Sequence, residues 1–125
     1  MTVLDASVLI AYLGSDDHSP AATAILRDQE RPSIHAVTLA EVLVGPAGRG
    51  TEEAALAAVD ELGIRTLAHD PDEPLLVARL RASTRLLLPD CFPLAAALRG
   101  GVTLATFDKR LAAAARALEV TVVGA

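Results

Sequence analysis

Short apolar runs separated by polar turns set the rhythm of this chain. Thr2-Val3-Leu4 is an apolar triplet that ends at Asp5 and suits a buried strand; Ala6 to Leu13 behind it reads as a helix stopped by Gly14. A polar turn from Ser15 to Pro20 comes next, and Ala21 to Asp28 resumes a helix with Ala24, Ile25 and Leu26 on its apolar side. Pro32 ends that stretch. Ser33 to Val37 reads as a second strand, and Thr38 to Val44 as a short helix closed by Gly45-Pro46. After the Gly48-Arg49-Gly50 loop, Thr51 to Leu62 is a helix with Gly63 as its stop, and Ile64 to Ala68 is a third strand. Pro71 or Pro74 opens a helix to about Leu86; Pro89-Asp90 starts another that runs to Leu98, where Gly100-Gly101 breaks it. Val102 to Ala105, Asp108 to Leu118 and Val120 to Val123 complete the pattern as strand, helix and strand.

These strands are apolar throughout rather than alternating, which suits a parallel sheet buried on both faces. Right-handed crossovers then predict an α/β fold, a three-layer αβα sandwich. The 125 residues show no internal repeat and no low-complexity segment, so residues 1–125 are read as one domain.

Composition narrows the function. Apolar residues make up 52% of the chain, with 25 Ala and 20 Leu against three aromatics, Tyr12, Phe92 and Phe107. Such a core is aliphatic, and modes of nucleic-acid binding that depend on a platform of stacked aromatic rings are excluded. A net charge of −5 argues against a sequence-independent DNA coat protein. The single Cys91 excludes an internal disulfide and Cys-pair zinc sites, and it suits a reducing compartment. No run approaches the ~18 apolar residues of a membrane span, and Met1 to Leu13 lacks the basic flank of a signal peptide, so a cytoplasmic location is expected.

Open parallel sheets bind ligands beyond the carboxyl ends of their strands. Four acids fall there. Asp5 directly succeeds strand one, Glu41 lies one helical turn after strand two, Asp90 opens the helix leading into strand four, and Asp108 comes after strand four with Thr106. Each also has a local reading. Asp5, Asp90 and Asp108 suit helix N-caps, Thr38-Leu39-Ala40-Glu41 has the form of a capping box, and Pro93 suits the first turn of a helix capped by Asp90. Together they demand more. Two carboxylates ~4 Å apart repel by roughly 4 kcal/mol at an effective dielectric near 20. Protonation, basic partners or a divalent cation relieve this, and oxygen ligands without His or Cys favour Mg²⁺ or Mn²⁺. Without these four charges the chain is near neutral, and ten of its eleven basic residues are Arg, which suits phosphate contact.

Three ordered blocks carry a resemblance: Val3-Leu4-Asp5-Ala6-Ser7-Val8-Leu9-Ile10, then Val37-Thr38-Leu39-Ala40-Glu41-Val42-Leu43, then Leu88-Pro89-Asp90-Cys91 through to Thr103-Leu104-Ala105-Thr106-Phe107-Asp108-Lys109-Arg110-Leu111. In order, spacing and chain length the sequence resembles PIN-domain ribonucleases of the small VapC-like toxin branch. The resemblance implies a parallel five-stranded sheet in the order 3-2-1-4-5. It puts Asp5, Glu41, Asp90 and Asp108 at the acidic metal-binding quartet, with Ser7 and Thr106 as supporting hydroxyls. It also implies a toxin of a toxin–antitoxin pair that hydrolyses RNA phosphodiester bonds with Mg²⁺ or Mn²⁺ through a metal-activated water. The implied partners are an antitoxin protein, an RNA substrate and a second copy of the chain. Pro93 departs from the family pattern, where an aliphatic residue is more usual, and bears on how Asp90 points.

Lys109 and Arg110 stand where they could touch RNA phosphate, and Arg79, Arg81 and Arg85 read as a solvated helix face or a phosphate track. His18, His35 and His69 are scattered along the chain, Cys91 reads as a small buried side chain, and Asp70, Asp72 and Glu73 as helix-start acids. Ala21, Ala22, Ile25 and Leu26 read as core, with a dimer or antitoxin surface as the alternative. Two other functions compete. A haloacid-dehalogenase-like phosphatase also carries an Asp after strand one, but it wants a second Asp where Ser7 stands. A non-catalytic interaction module would use the acidic cleft to dock a basic peptide.

Overall fold

A computed structural model describes all residues, 1–125. The elements are β1 (Thr2–Leu4), α1 (Ala6–Leu13), α2 (Ser19–Asp28), β2 (Pro32–His35), α3 (Ala36–Gly48), α4 (Glu52–Glu61), β3 (Arg65–Leu67), α5 (Glu73–Thr84), α6 (Leu88–Gly100), β4 (Thr103–Thr106), α7 (Lys109–Ala117) and β5 (Val122–Gly124). The five strands form one sheet, ordered β3-β2-β1-β4-β5, and every pairing is parallel. The expected three-layer sandwich and strand order are therefore present.

Alternation along the strands divides the core in two. Val3 and Leu104 face α5, α6 and α7, packing with Val77, Leu94 and Leu111. Leu4, Ile34 and Ala105 face the other way, packing with Leu9, Val42 and Val59 from the α1–α4 layer. Ala22 is buried, with Ile25 and Leu26 packed against this second core, so that α2 face is internal.

Three local expectations fail. The third helix begins at Ala36, not Thr38, because the His35 imidazole caps it: Val37 N–H donates to His35 Nδ1 at 3.0 Å. Thr38 and Glu41 therefore lie inside the helix and form no capping box. The same helix runs through Gly45-Pro46 to Gly48, with Pro46 buried and its carbonyl accepting from Thr51 N–H at 2.9 Å. In α6 the cap position is Leu87, and Asp90 is the third helical residue, its N–H donating to Leu87 O at 3.0 Å. Pro93 consequently sits in the second turn and forfeits the bond its N–H would have made.

Candidate active site

The strand order changes direction between β1 and β4, and a crevice opens at such a switch point beyond the strand ends. Asp5 stands there, directly after β1, with its N–H donating to Ala105 O of β4 at 2.9 Å. Its carboxylate ignores the helix behind it and makes no cap bond. Instead Oδ2 accepts from Ser7 Oγ and from Thr106 Oγ1, each at 2.8 Å. Both hydroxyls are in turn held by backbone donors: Phe107 N–H bonds Ser7 Oγ and Asp108 N–H bonds Thr106 Oγ1, each at 3.0 Å. Two relays of amide, hydroxyl and carboxylate thus converge on one oxygen and fix a buried acid. Asp5 Oδ1 has no hydrogen bond within the protein.

Asp108 is the one member of the four that caps a helix with its side chain. Its Oδ1 accepts from Arg110 N–H at 2.9 Å and from Leu111 N–H at 3.2 Å. Its Oδ2 is left without a bond. Glu41 projects from the second turn of α3, and its buried Oε1 has no hydrogen-bond partner. Thr38, one turn earlier on the same helix, is fully buried and its Oγ1 is equally unpartnered. Asp90 comes from the first turn of α6 and is half-buried.

The four acids feel one another. Burial, then the charges of Asp5 and Asp90, push the Glu41 carboxyl above its ordinary range. Burial, then Asp5 and Asp108, push Asp90 up as well, with Arg110 opposing. No three of these acids bring ligand oxygens within 4.8 Å of one another, so the cleft is wider than a closed cage. An open acidic cleft of this kind suits Mg²⁺ or Mn²⁺, which binds through one or two carboxylates and fills its remaining positions with water. The donor set fits such an ion in kind too: all oxygen, with a buried acceptor on Glu41 that nothing in the protein satisfies.

Two of the three histidines, His35 and His69, come together. His35 Nε2 lies 3.0 Å from both Glu73 oxygens, and His69 Nδ1 lies 2.6 Å from Glu73 Oε1. The His35 ring also packs against Phe92, with centroids 5.0 Å apart. Glu73 is the first residue of α5, as the sequence suggests, and it is buried, anchoring the start of that helix. Asp70 and Asp72 pair with Arg99 of α6. The trio has the residue types of a transition-metal site, but its hydrogen bonds argue otherwise. His35 Nδ1 accepts from Val37 N–H, which assigns the ring proton to Nε2 and leaves that nitrogen no lone pair for a cation. Two signals in the sequence point to this clasp: His35 at a strand end just before a helix, and His69 four residues before Glu73.

Lys109 and Arg110 are exposed beside the cleft, and Arg79, Arg81 and Arg85 are exposed on α5 and at its end, without ion pairs. Cys91 is buried, donates weakly to Leu87 O at 3.6 Å, and has its thiol pushed up by burial and by Asp90. It is an inert core side chain.

Residues 2–117 match the family model described as the PIN domain. The chain belongs to the PIN-domain family. No curated protein sequence matches it significantly. Solved structures share its fold. VapC20 of Mycobacterium tuberculosis, described as a sarcin-ricin loop cleaving toxin, superposes with a TM-score of 0.77 at 18% identity, covering 91% of this chain and 95% of that one. FitAcB from Neisseria gonorrhoeae gives 0.74 at 23%, covering 98% and 96%. A toxin–antitoxin complex from Klebsiella pneumoniae gives 0.73 at 22%, covering 86% and 87%. No helix of this PIN domain is long and apolar enough to cross a membrane.

Proposed function

We propose that this PIN-domain protein is the toxin of a toxin–antitoxin pair and a Mg²⁺- or Mn²⁺-dependent endoribonuclease acting in the cytoplasm. Asp5, Glu41, Asp90 and Asp108 are its metal-binding and catalytic acids, with Ser7 and Thr106 in support. One observation carries this reading. Carboxylates from four separate segments lie close enough at the switch point of a parallel sheet to raise one another's proton affinity, and the buried oxygen of one of them has no partner in the protein. A packed fold tolerates that repulsion when a dication is to be held there. Such a cation supplies charge neutralisation for phosphodiester hydrolysis.

The residues have separable duties. Ser7 and Thr106 fix the Asp5 rotamer, so that Oδ1 faces the cleft at no further ordering cost. Asp108 commits one oxygen to α7 and presents the other. Glu41 and Asp90, whose proton affinity is raised by burial and by the neighbouring acids when no cation is bound, complete the set of oxygen ligands. Lys109 and Arg110 offer cations for the RNA backbone.

The toxins and toxin complexes among the structural neighbours support the partner as well as the activity. A cavity of about 300 Å³ between α1 and α3 is lined by Ile10, Leu13, Val42 and Pro46, with Glu41 and Arg49 also on its wall. We assign it to an antitoxin segment. Self-association with a second copy of the chain is assigned to the exposed, adjacent Leu87 and Leu88 at the start of α6.

The test is cleavage of RNA by the purified protein with Mn²⁺, Mg²⁺ or chelator. Asp108→Asn keeps the helix cap and removes only the charge, so it and Asp5→Asn are expected to abolish cleavage. Full cleavage by either variant in chelator overturns the nuclease reading. The interaction-module reading predicts no heat of Mn²⁺ binding alongside tight partner binding. A phosphatase would show an aspartyl-phosphate on Asp5, whose Oδ2 is already engaged by two hydroxyls.

A further inference from the structure

We propose that His18 and Phe107 form a nucleobase-stacking subsite at the rim of the acidic cleft, where one base of a single-stranded RNA lies on the outer face of the His18 ring. The inference rests on the ribonuclease reading and adds a contact to it. The two rings are nearly parallel, 15° apart in plane with centroids at 4.7 Å, and His18 is exposed. With one face covered by Phe107, the exposure of His18 belongs to its other face and its edge. The hydrogen bonds of His18 run through its backbone and not its ring nitrogens, so none is broken when a base covers the ring.

The position is what gives the stack a use. Phe107 lies between Thr106 and Asp108, and its N–H donates to Ser7 Oγ, which donates to Asp5. A base on this platform is therefore close to the acids that flank the scissile phosphate. The backbone beneath the His18 ring is anchored. His18 N–H is held by Asp16 Oδ1 at 2.8 Å, its carbonyl accepts from Ala22 N–H at 2.9 Å, and it sits at the cap position of α2. A ring on a fixed backbone loses little freedom when a base covers it.

Charge selects the base over the backbone. Asp16 and Asp17 adjoin His18 and repel phosphate, whereas every base offers a π-face irrespective of its sequence. The subsite therefore favours unpaired nucleotides with little discrimination among bases. Low aromatic content excludes a multi-ring platform, but a single stacked pair at the cleft needs only one Phe.

The test pairs protein and RNA changes. Affinity for a short single-stranded RNA protected by phosphorothioate linkages is read by fluorescence anisotropy in Mn²⁺. KM and kcat are read on the unprotected strand. His18→Ala is expected to weaken binding and raise KM by about tenfold with kcat little changed. His18→Phe restores both, and the melting temperatures of the two variants stay near the wild type. Scanning an abasic nucleotide along the strand finds one position where wild type and His18→Ala become equal. Equal affinity of wild type and His18→Ala for intact RNA overturns the subsite. So does a loss that persists at every abasic position, or a His18→Phe that fails to rescue. Absence of metal-dependent cleavage by the wild type instead sinks the ribonuclease reading, whatever the binding arms show.

Discussion

Thr106 Oγ1 donates to Asp5 Oδ2 at 2.8 Å and, through the same oxygen, accepts the Asp108 N–H at 3.0 Å. One hydroxyl therefore ties the ends of β1 and β4 together. Thr106→Val keeps the shape and removes both bonds. It is expected to lower Mn²⁺ affinity and turnover by about tenfold or more, in the range seen for groups that orient metal ligands. Thr106→Ser, which keeps the oxygen, should recover most of the loss. Calorimetric titration with Mn²⁺ separates the affinity effect from the effect on cleavage.

Glu41 and Asp90 give a stability signature with a definite sign. Both carboxyls are raised in the folded chain. An acid raised on folding contributes stability that is complete below its unfolded value and is lost as pH rises through its folded value. The metal-free protein is therefore expected to lose stability from these two groups as pH climbs from about 4 towards neutrality. Thermal melts of wild type against Glu41→Gln and Asp90→Asn check this, since each variant should flatten the slope. Saturating Mn²⁺ at neutral pH should restore the wild type by about 3 kcal/mol at a hundredfold excess over Kd, and the variants by less.

Thr38 offers a test of stability traded against function. Its hydroxyl is fully buried and bonded to nothing in the protein. Thr38→Val replaces it with a methyl of nearly the same size. The metal-free protein should gain ~1 kcal/mol, or about 3 °C in melting temperature. Mn²⁺ affinity should fall if that hydroxyl serves the neighbouring Glu41. A variant that melts lower than wild type would show the hydroxyl to be satisfied.

His35 is expected to matter for the fold rather than the chemistry. His35→Ala removes the cap of α3 and the partner that reaches both oxygens of the buried Glu73, leaving it only His69, at a cost of about 2–4 kcal/mol. His69→Ala should cost far less, because that ring is 60% exposed. Zn²⁺ should raise the melting temperature of wild type and His69→Ala equally, since the trio offers no free lone pair on His35 Nε2. A Zn²⁺ effect that vanishes in His69→Ala would make the trio a metal site.

The three layers were legible from the apolar runs, and Asp5 and Asp108 stood out because each stands just past one. The strand order, and with it the grouping of Glu41 and Asp90 with them at one site, came from the family resemblance, since no local pattern says which strands are neighbours. Helix starts were not. Thr38 and Glu41 have the local form of a capping box, yet His35 caps the helix two residues earlier, because its ring is fixed from outside by Glu73 and Phe92. Gly45-Pro46 has the form of a stop, but Pro46 is buried within the last turn of α3 and the helix continues over it. The His69–Glu73 half of the clasp has a local signature in its four-residue spacing, but the meeting of His35 with Glu73 and the His18–Phe107 stack join distant segments, about which local pattern carries no information.

Gly124 pairs with Thr106 along β5 at φ 104°, and a Cβ there would collide with the Thr106 carbonyl oxygen. The outermost strand thus presses on the very residue whose hydroxyl orients Asp5. A single added methyl at the sheet's margin would travel inward through one peptide unit to the centre of the acidic cleft. The reactive geometry is thereby underwritten by an edge that touches no nucleotide, and damage far from the chemistry would still be felt as lost chemistry.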